Sequence, residues 1–279
     1  IIGGPERIGQ GWKMLMSALA AGRSISLPSL SAAGTAYTAR VTGAYARIRR
    51  QFGLSVGKFE GVEQVIARML GLTYIMDAAR SVTTGAIDGG ERPAVPAAIL
   101  KYHVTEMGRC VANDAMDVHG GKGIMLGPRN YVARGYQAAP IGITVEGANI
   151  LTRNLIIFGQ GAVRCHPFVL KEMQAARNPQ GERSAADFDR ALFGHIGFAI
   201  SNAVRSFWFG LTGAKIGSAP GDDYTRRYFR KLDRYSANLA LMADVSMLLL
   251  GGKLKFKESL SGRLGDVLSH IYLTSAMLK

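Results

Sequence analysis

Glu146 sits in Ile143-Thr144-Val145-Glu146-Gly147-Ala148-Asn149-Ile150-Leu151, with apolar residues before it and a glycine after it. A carboxylate entering a helix beside Gly147 can be held in a partly dry site, where its proton affinity rises toward that of a useful base. The same residue also reads as an ordinary first-turn acid favoured by the helix dipole. A second candidate is the turn Gly120-Gly121-Lys122-Gly123. Glycines let a backbone approach a ligand and expose its N–H groups, and they also end helices routinely. The turn lacks the GxxxxGK[ST] spacing of a phosphate-binding P-loop. A third candidate is Arg47, Arg49 and Arg50 before Gln51-Phe52-Gly53. Guanidiniums beside a ring can hold a pyrophosphate and stack a base, or they can form a solvated basic helix end. His103, His119, His166, His195 and His270 are scattered without metal-ligand spacing, so no metal site is expected.

The elements that must position these groups read as helices. Pro28 suits a first helical position and is followed by small and apolar residues over 30–48. Val62, Val65, Ile66, Met69, Leu70, Thr73, Ile75 and Met76 recur at helical spacing within 58–87. A third helix is expected over 96–119, with Ile99, Val104, Met107, Val111 and Met116 as core positions, and a fourth over 146–158. Three long segments joined by short turns predict an antiparallel helix bundle. The stretch 120–142 is rich in glycine, carries Pro128 and Pro140, and shows no period, so an ordered, site-forming loop is expected. After Phe158, breaks at Pro167, Pro179-Gln180-Gly181 and Pro220-Gly221 separate helices expected over 184–212, 223–250 and 259–279. The expected architecture is all-α: a bundle domain over 1–158 and a second all-helical region over 159–279.

Composition narrows the function classes. The 279 residues carry 34 Lys+Arg against 20 Asp+Glu, a net charge of +14, with 48% hydrophobic and 19% charged residues. That excludes a disordered chain. The charge is spread evenly, +7 in 1–158 and +7 in 159–279. A spread excess suits phosphate-bearing small molecules, or weak attraction to an anionic surface. No finger, basic zipper or aromatic-basic platform appears, so no nucleic-acid partner is expected. Two cysteines, Cys110 and Cys165, make no disulfide framework and point to a reducing compartment. No run of 18 apolar residues occurs. The start at Ile1-Ile2-Gly3-Gly4 and an end inside an apolar-patterned stretch lead to the expectation of a piece of a longer chain.

Four stretches, in order, resemble the C-terminal part of the acyl-CoA dehydrogenases. Gly9-Gln10-Gly11-Trp12-Lys13-Met14-Leu15 with Ala20-Ala21-Gly22-Arg23 resembles the entry into that family's helical domain. Arg49-Arg50-Gln51-Phe52-Gly53, then Phe59 and Ala67-Arg68-Met69, resembles its R-x-x-F-G segment. Asp117-Val118-His119-Gly120-Gly121-Lys122-Gly123-Ile124 resembles its Q-x-x-G-G-x-G turn. Val145-Glu146-Gly147-Ala148-Asn149-Ile150 resembles its E-G-T motif. The segment 250–264 resembles the extra C-terminal domain of the large bacterial members acting in fatty-acid β-oxidation.

The resemblance implies an FAD-dependent α,β-dehydrogenation of medium- or long-chain acyl-CoA to a trans-2-enoyl-CoA. It implies that Glu146 is the catalytic base, and that its backbone N–H helps polarise the thioester oxygen. Arg23 and Gly147 are implied on the substrate side. Arg49, Phe52, Asp117, Gly120, Gly121 and Asn149 are implied at FAD, the first two commonly at the FAD of a neighbouring subunit. Asp117 stands where Gln is common, Ala148 replaces a flavin-contacting Thr, with Asn149 placed to take over that contact, and Gly135 replaces the Asp of an Arg-Asp pair. An electron-transferring flavoprotein, a homo-oligomer, and a cytoplasmic location, peripheral to the inner membrane in one reading, complete the expectation. The alternatives are an acyl-CoA oxidase-like member, or a non-catalytic basic helical module binding phosphates or a membrane surface.

Overall fold

The computed structural model describes residues 2–177, 182–216 and 218–279. Among them strands are confined to one two-stranded hairpin, and helices form the rest of the framework. The expected break at Pro179-Gln180-Gly181 lies outside the described residues. The chain divides into two compact units, one ending at Thr152 and one running from Arg153 to Lys279.

The first unit is built from α1 (Gly11–Ser24), α2 (Ser26–Ile48), β1 (Arg50–Gln51), β2 (Leu54–Ser55), α3 (Glu60–Asp88), α4 (Ala94–His119), α5 (Gly121–Ile124), α6 (Ala133–Thr144) and α7 (Asn149–Leu151). Pro28, Ala32, Thr35, Ala39, Thr42 and Ala46 are the buried stripe of α2, spaced by alternating steps of four and three. Small side chains at that spacing form a straight seam that lets neighbouring helices approach closely. Ala39, Met69, Val111 and Ala115 share one core level across α2, α3 and α4. Gly108 faces Thr35 and Met76 at the next level. The register therefore runs α2 and α4 in one direction and α3 in the other, the up-down-up order of an antiparallel bundle. At the far end, Tyr45 stacks on His119, with ring centroids 4.3 Å apart.

Several local expectations change. Helix α1 is not among the helices expected from apolar spacing. Leu70, one of the apolar residues at helical spacing in α3, is exposed. The stretch 120–142 is helical over α5 and most of α6 rather than loop, despite Pro140. Asn130 organises the turn between them. Its amide donates to the carbonyls of Gly123 and Met125, and its oxygen accepts from the Val132 and Ala133 N–H groups at the start of α6. Gly142 marks close helix approach, because a Cβ there would meet Thr105 of α4 at 3.3 Å. Glycine reads as a loop signal in sequence, but here it serves packing.

In the second unit, a π-helical segment (Thr152–Gln160) leads into α8 (Gly161–Cys165), followed by α9 (Val169–Arg177), α10 (Glu182–Thr212), α11 (Arg226–Leu250) and α12 (Glu258–Leu278). α10 packs on α9 and α11, and α11 on α12. The small residues Ser261, Gly262, Gly265 and Ser269, with Leu273 and Ala276, form the buried face of α12. Arg153 donates to Asp266 at 2.8 Å. The compact units meet at Thr152–Arg153, within a helical run that continues through Gln160. No single helix among the described residues is long and apolar enough to cross a membrane.

Candidate active site around Glu146

Glu146 does not enter a helix. It has φ +56°, followed by Gly147 at φ +95°, so the two form a left-handed turn between α6 and α7. A positive φ is costly for a residue with a Cβ and persists where the surroundings hold it. Arg23, at the end of α1, supplies that hold. Its Nε donates to the Glu146 carbonyl at 2.7 Å, and its Nη2 donates to the same oxygen. Arg23 is 3% exposed, and burial lowers its pKa against the opposing pull of Glu146. The Glu146 carboxylate lies over Gly22, where a Cβ would meet Oε1 at 3.0 Å. Its other oxygen, Oε2, is buried with no hydrogen-bond partner.

Lys101 of α4 lies directly behind this turn and is 0% exposed. Its ammonium donates to the Ile143 carbonyl at 2.9 Å and to Asn149 Oδ1 at 2.5 Å. Asn149 in turn donates to Thr105 Oγ1 at 3.0 Å and Glu106 Oε1 at 2.8 Å. Burial, with the nearby Arg23 cation, pushes the Lys101 pKa down to about 8, against Glu146 and Glu106.

A second group gathers at the other end of α4. The β1–β2 hairpin pairs Arg50 with Ser55 and Gln51 with Leu54. Phe52 (φ +51°) and Gly53 (φ +79°) form its turn, and two successive positive φ values match the right-handed twist of a tight hairpin. Phe52 is 92% exposed. Asp117, Gly120 and Gly121 are exposed at the end of α4, and Arg49 is exposed at the end of α2. The Tyr45–His119 stack joins these two helix ends, and His119 also contacts the Tyr131 hydroxyl at 3.1 Å. Lys101 and His119 are eighteen residues apart on α4, about 27 Å at helical rise.

A sequence profile described as the acyl-CoA dehydrogenase C-terminal domain matches residues 9–159, and one described as the bacterial-type C-terminal region matches 163–279. The chain belongs to the acyl-CoA dehydrogenase family. It is 24% identical over 285 residues to the probable acyl-CoA dehydrogenase FadE10 of Mycobacterium tuberculosis, covering 97% of this chain and 41% of that protein. This chain thus spans about two-fifths of the length of that relative. An acyl-CoA dehydrogenase of Bacillus anthracis, solved with FAD, has the same fold over 96% of this chain and 43% of its own, with a TM-score of 0.68 at 17% identity. A Geobacillus kaustophilus acyl-CoA dehydrogenase matches 55% of this chain and 39% of its own at 26% identity, with a TM-score of 0.51.

Set in an acyl-CoA dehydrogenase bundle, the sequence-derived residues fall into two groups. Glu146, Gly147, Arg23 and Asn149 come together at the α6–α7 turn. Arg49, Phe52, Asp117, Gly120 and Gly121 belong to the distant group. Two of these residues are tied into the fold by their own hydrogen bonds. Arg23 is buried and directed at the Glu146 carbonyl, so it clamps the turn. Asn149 is 2% exposed with its amide committed to Lys101, Thr105 and Glu106, so it anchors the turn from below. Lys101, Thr105 and Glu106 escaped the sequence reading. A lysine inside the buried face of α4, one turn before Thr105 and Glu106, was the available signal.

The second unit holds a polar cluster that the scattered histidines did not suggest. His166 Nε2 lies 2.8 Å from Asp244 Oδ1, and His195 lies between Asp244 (3.3 Å) and Glu172 (2.8 Å). The three side chains His166, His195 and Asp244 could surround an ion by proximity. However, His166 Nδ1 accepts the Phe168 and Val169 N–H groups, capping α9. A neutral ring whose Nδ1 accepts carries its proton on Nε2, where it donates to Asp244 and offers no lone pair to a metal.

Proposed function

We propose that this chain forms the helical part of an FAD-dependent acyl-CoA dehydrogenase, with Glu146 as the base that removes the α-proton of an acyl-CoA thioester. The observation that carries the reading is the Glu146 carboxylate itself. It is fixed on a strained turn by Arg23, and one of its oxygens is buried without a donor. The α C–H electron pair becomes the new double bond as the β-hydrogen departs as hydride, giving a trans-2-enoyl-CoA. FAD, when bound, supplies the hydride acceptor. The Glu146 N–H is assigned to polarise the thioester oxygen, so that the weakly acidic α-carbon can be deprotonated.

The outward-facing Phe52 ring, the Arg49 guanidinium and the open glycine turn at Gly120–Gly121 fit a dinucleotide, since a Cβ at either glycine meets no atom within 4 Å. With Asp117 they are the residues that would hold it. Their separation from Glu146, about 27 Å along α4, fits an FAD other than the one served by this Glu146, hence an oligomer in which neighbouring subunits share the cofactor. Medium- to long-chain substrates, an electron-transferring flavoprotein as acceptor, and a cytoplasmic or membrane-peripheral location belong to the same reading.

Glu146→Gln in the intact protein tests it. FAD is expected to stay bound while dehydrogenation of acyl-CoA is abolished. Turnover near the unaltered rate would remove Glu146 as the base. This chain by itself is expected to take up little FAD, and a stoichiometrically yellow preparation of it would contradict the division of the site.

A further inference from the structure

Lys101 is fully buried, and the chemistry above does not use it. Its two acceptors bracket the base: the Ile143 carbonyl lies three residues before Glu146 and the Asn149 side chain three residues after it. Between them, Arg23 holds the Glu146 carbonyl, and Thr152 Oγ1 donates to the Gly147 carbonyl at 3.3 Å. Glu146 and Gly147 both have positive φ, a conformation that relaxes unless neighbouring groups fix both ends of the turn.

We propose that Lys101 is a positioning residue for Glu146, a buried tie across the two ends of the 143–149 segment that fixes where the carboxylate projects. The proposal rests on the reading of Glu146 as the base. Burying an ammonium in a helix core is a poor way to gain stability, because an apolar residue of similar length fills the space without desolvating a charge. What the ammonium adds is direction. It offers donors to a carbonyl at the end of α6 and to a side chain at the start of α7, holding the ends of two short helices at one separation. Asn149 extends the tie to Thr105 and Glu106, so the turn is referenced to the long, rigid α4. Displacing a reacting group by about 1 Å can lower the rate about 10²-fold without touching substrate affinity.

The test uses the intact FAD-containing protein with Lys101→Met, Asn149→Ala and Glu146→Gln side by side. In Lys101→Met, FAD content and the KM for an acyl-CoA are expected within about twofold of the unaltered enzyme. The kcat is expected to fall about 10²-fold. Exchange of the substrate α-hydrogens with deuterium oxide is expected to slow in parallel, because it reports proton removal without net oxidation. Asn149→Ala cuts the same tie from the other side and decides the matter if Lys101→Met does not fold; it is expected to lower kcat in the same direction, by less, at unchanged KM. Rates and exchange within about twofold of the unaltered enzyme in the folded variants would overturn the role of Lys101, as would lost FAD or raised KM at unchanged kcat. If Glu146→Gln still turns over, the base assignment fails instead. If Glu146→Gln is dead while Lys101→Met is normal, the positioning role alone fails.

Discussion

Arg23 directs two guanidinium donors at one acceptor, the backbone carbonyl of Glu146, across 123 residues of sequence. The arrangement leaves the carboxylate out of the guanidinium's direct grasp. The fork instead fixes the peptide from which the carboxylate projects. Arg23→Lys keeps the charge but loses the planar fork. We expect this chain carrying Arg23→Lys to unfold at lower urea concentration, by about 1–3 kcal/mol for the lost charged hydrogen bond, with an unchanged m-value.

Two glycines at the site separate stability from position. At Gly147 a Cβ would meet Arg23 Nη2 at 2.7 Å, with φ at +95°. Gly147→Ala is therefore expected to destabilise the chain by about 1–3 kcal/mol. At Gly22 the nearest atom to an added Cβ is Glu146 Oε1 at 3.0 Å, the far end of a flexible side chain. Gly22→Ala is expected to leave the unfolding midpoint unchanged or slightly raised, since alanine favours helix. In the intact enzyme it should lower kcat by shifting the carboxylate. Equal stability losses in the two variants would contradict this division.

Phe52 occupies a left-handed position with its ring 92% exposed, an arrangement that costs stability and is offset only by an edge contact with Phe59. Asparagine tolerates that φ better. Phe52→Asn is expected to hold or raise the thermal midpoint of this chain while weakening FAD retention by the intact protein, measured as flavin absorbance after dialysis. Unchanged retention would remove Phe52 from the cofactor contacts.

His166 links stability to pH in the second unit. Burial holds its pKa below the ordinary 6.5, and the neighbouring His195 cation, when charged, pushes the same way against Asp244 and Glu172. The unfolded chain then takes up a proton more readily than the folded one as pH falls below 6.5. The stability associated with this residue is full above 6.5 and is lost as pH drops through its folded value. Urea midpoints measured at pH 7.5 and 5.5 should fall on acidification, and His166→Gln should reduce the fall. An identical pH dependence in that variant would contradict the linkage.

The sequence by itself determined the helical class, the long segments near α3 and α4, the family, and the identity of Glu146 as the acid to examine. Those follow from local regularities: apolar spacing, glycine stops and short motifs are written along the chain. It also placed Arg49, Phe52 and the Gly120–Gly121 turn in the candidate set. Tertiary structure decided what each residue does. The periodicity of α4 cannot say that Lys101 points into the core toward Ile143 and Asn149, because the partners lie 42 and 48 residues away. Pro140 and Gly142 look like loop in sequence, yet α6 forms because Gly142 lets it lie close against Thr105 of α4. That Arg23 clamps the Glu146 turn and Asn149 anchors it is visible only in the hydrogen bonds the fold brings together. Hydrogen-bond demand in a buried site is settled by which groups the fold brings within 3 Å, and that proximity is not a property of any short stretch of chain.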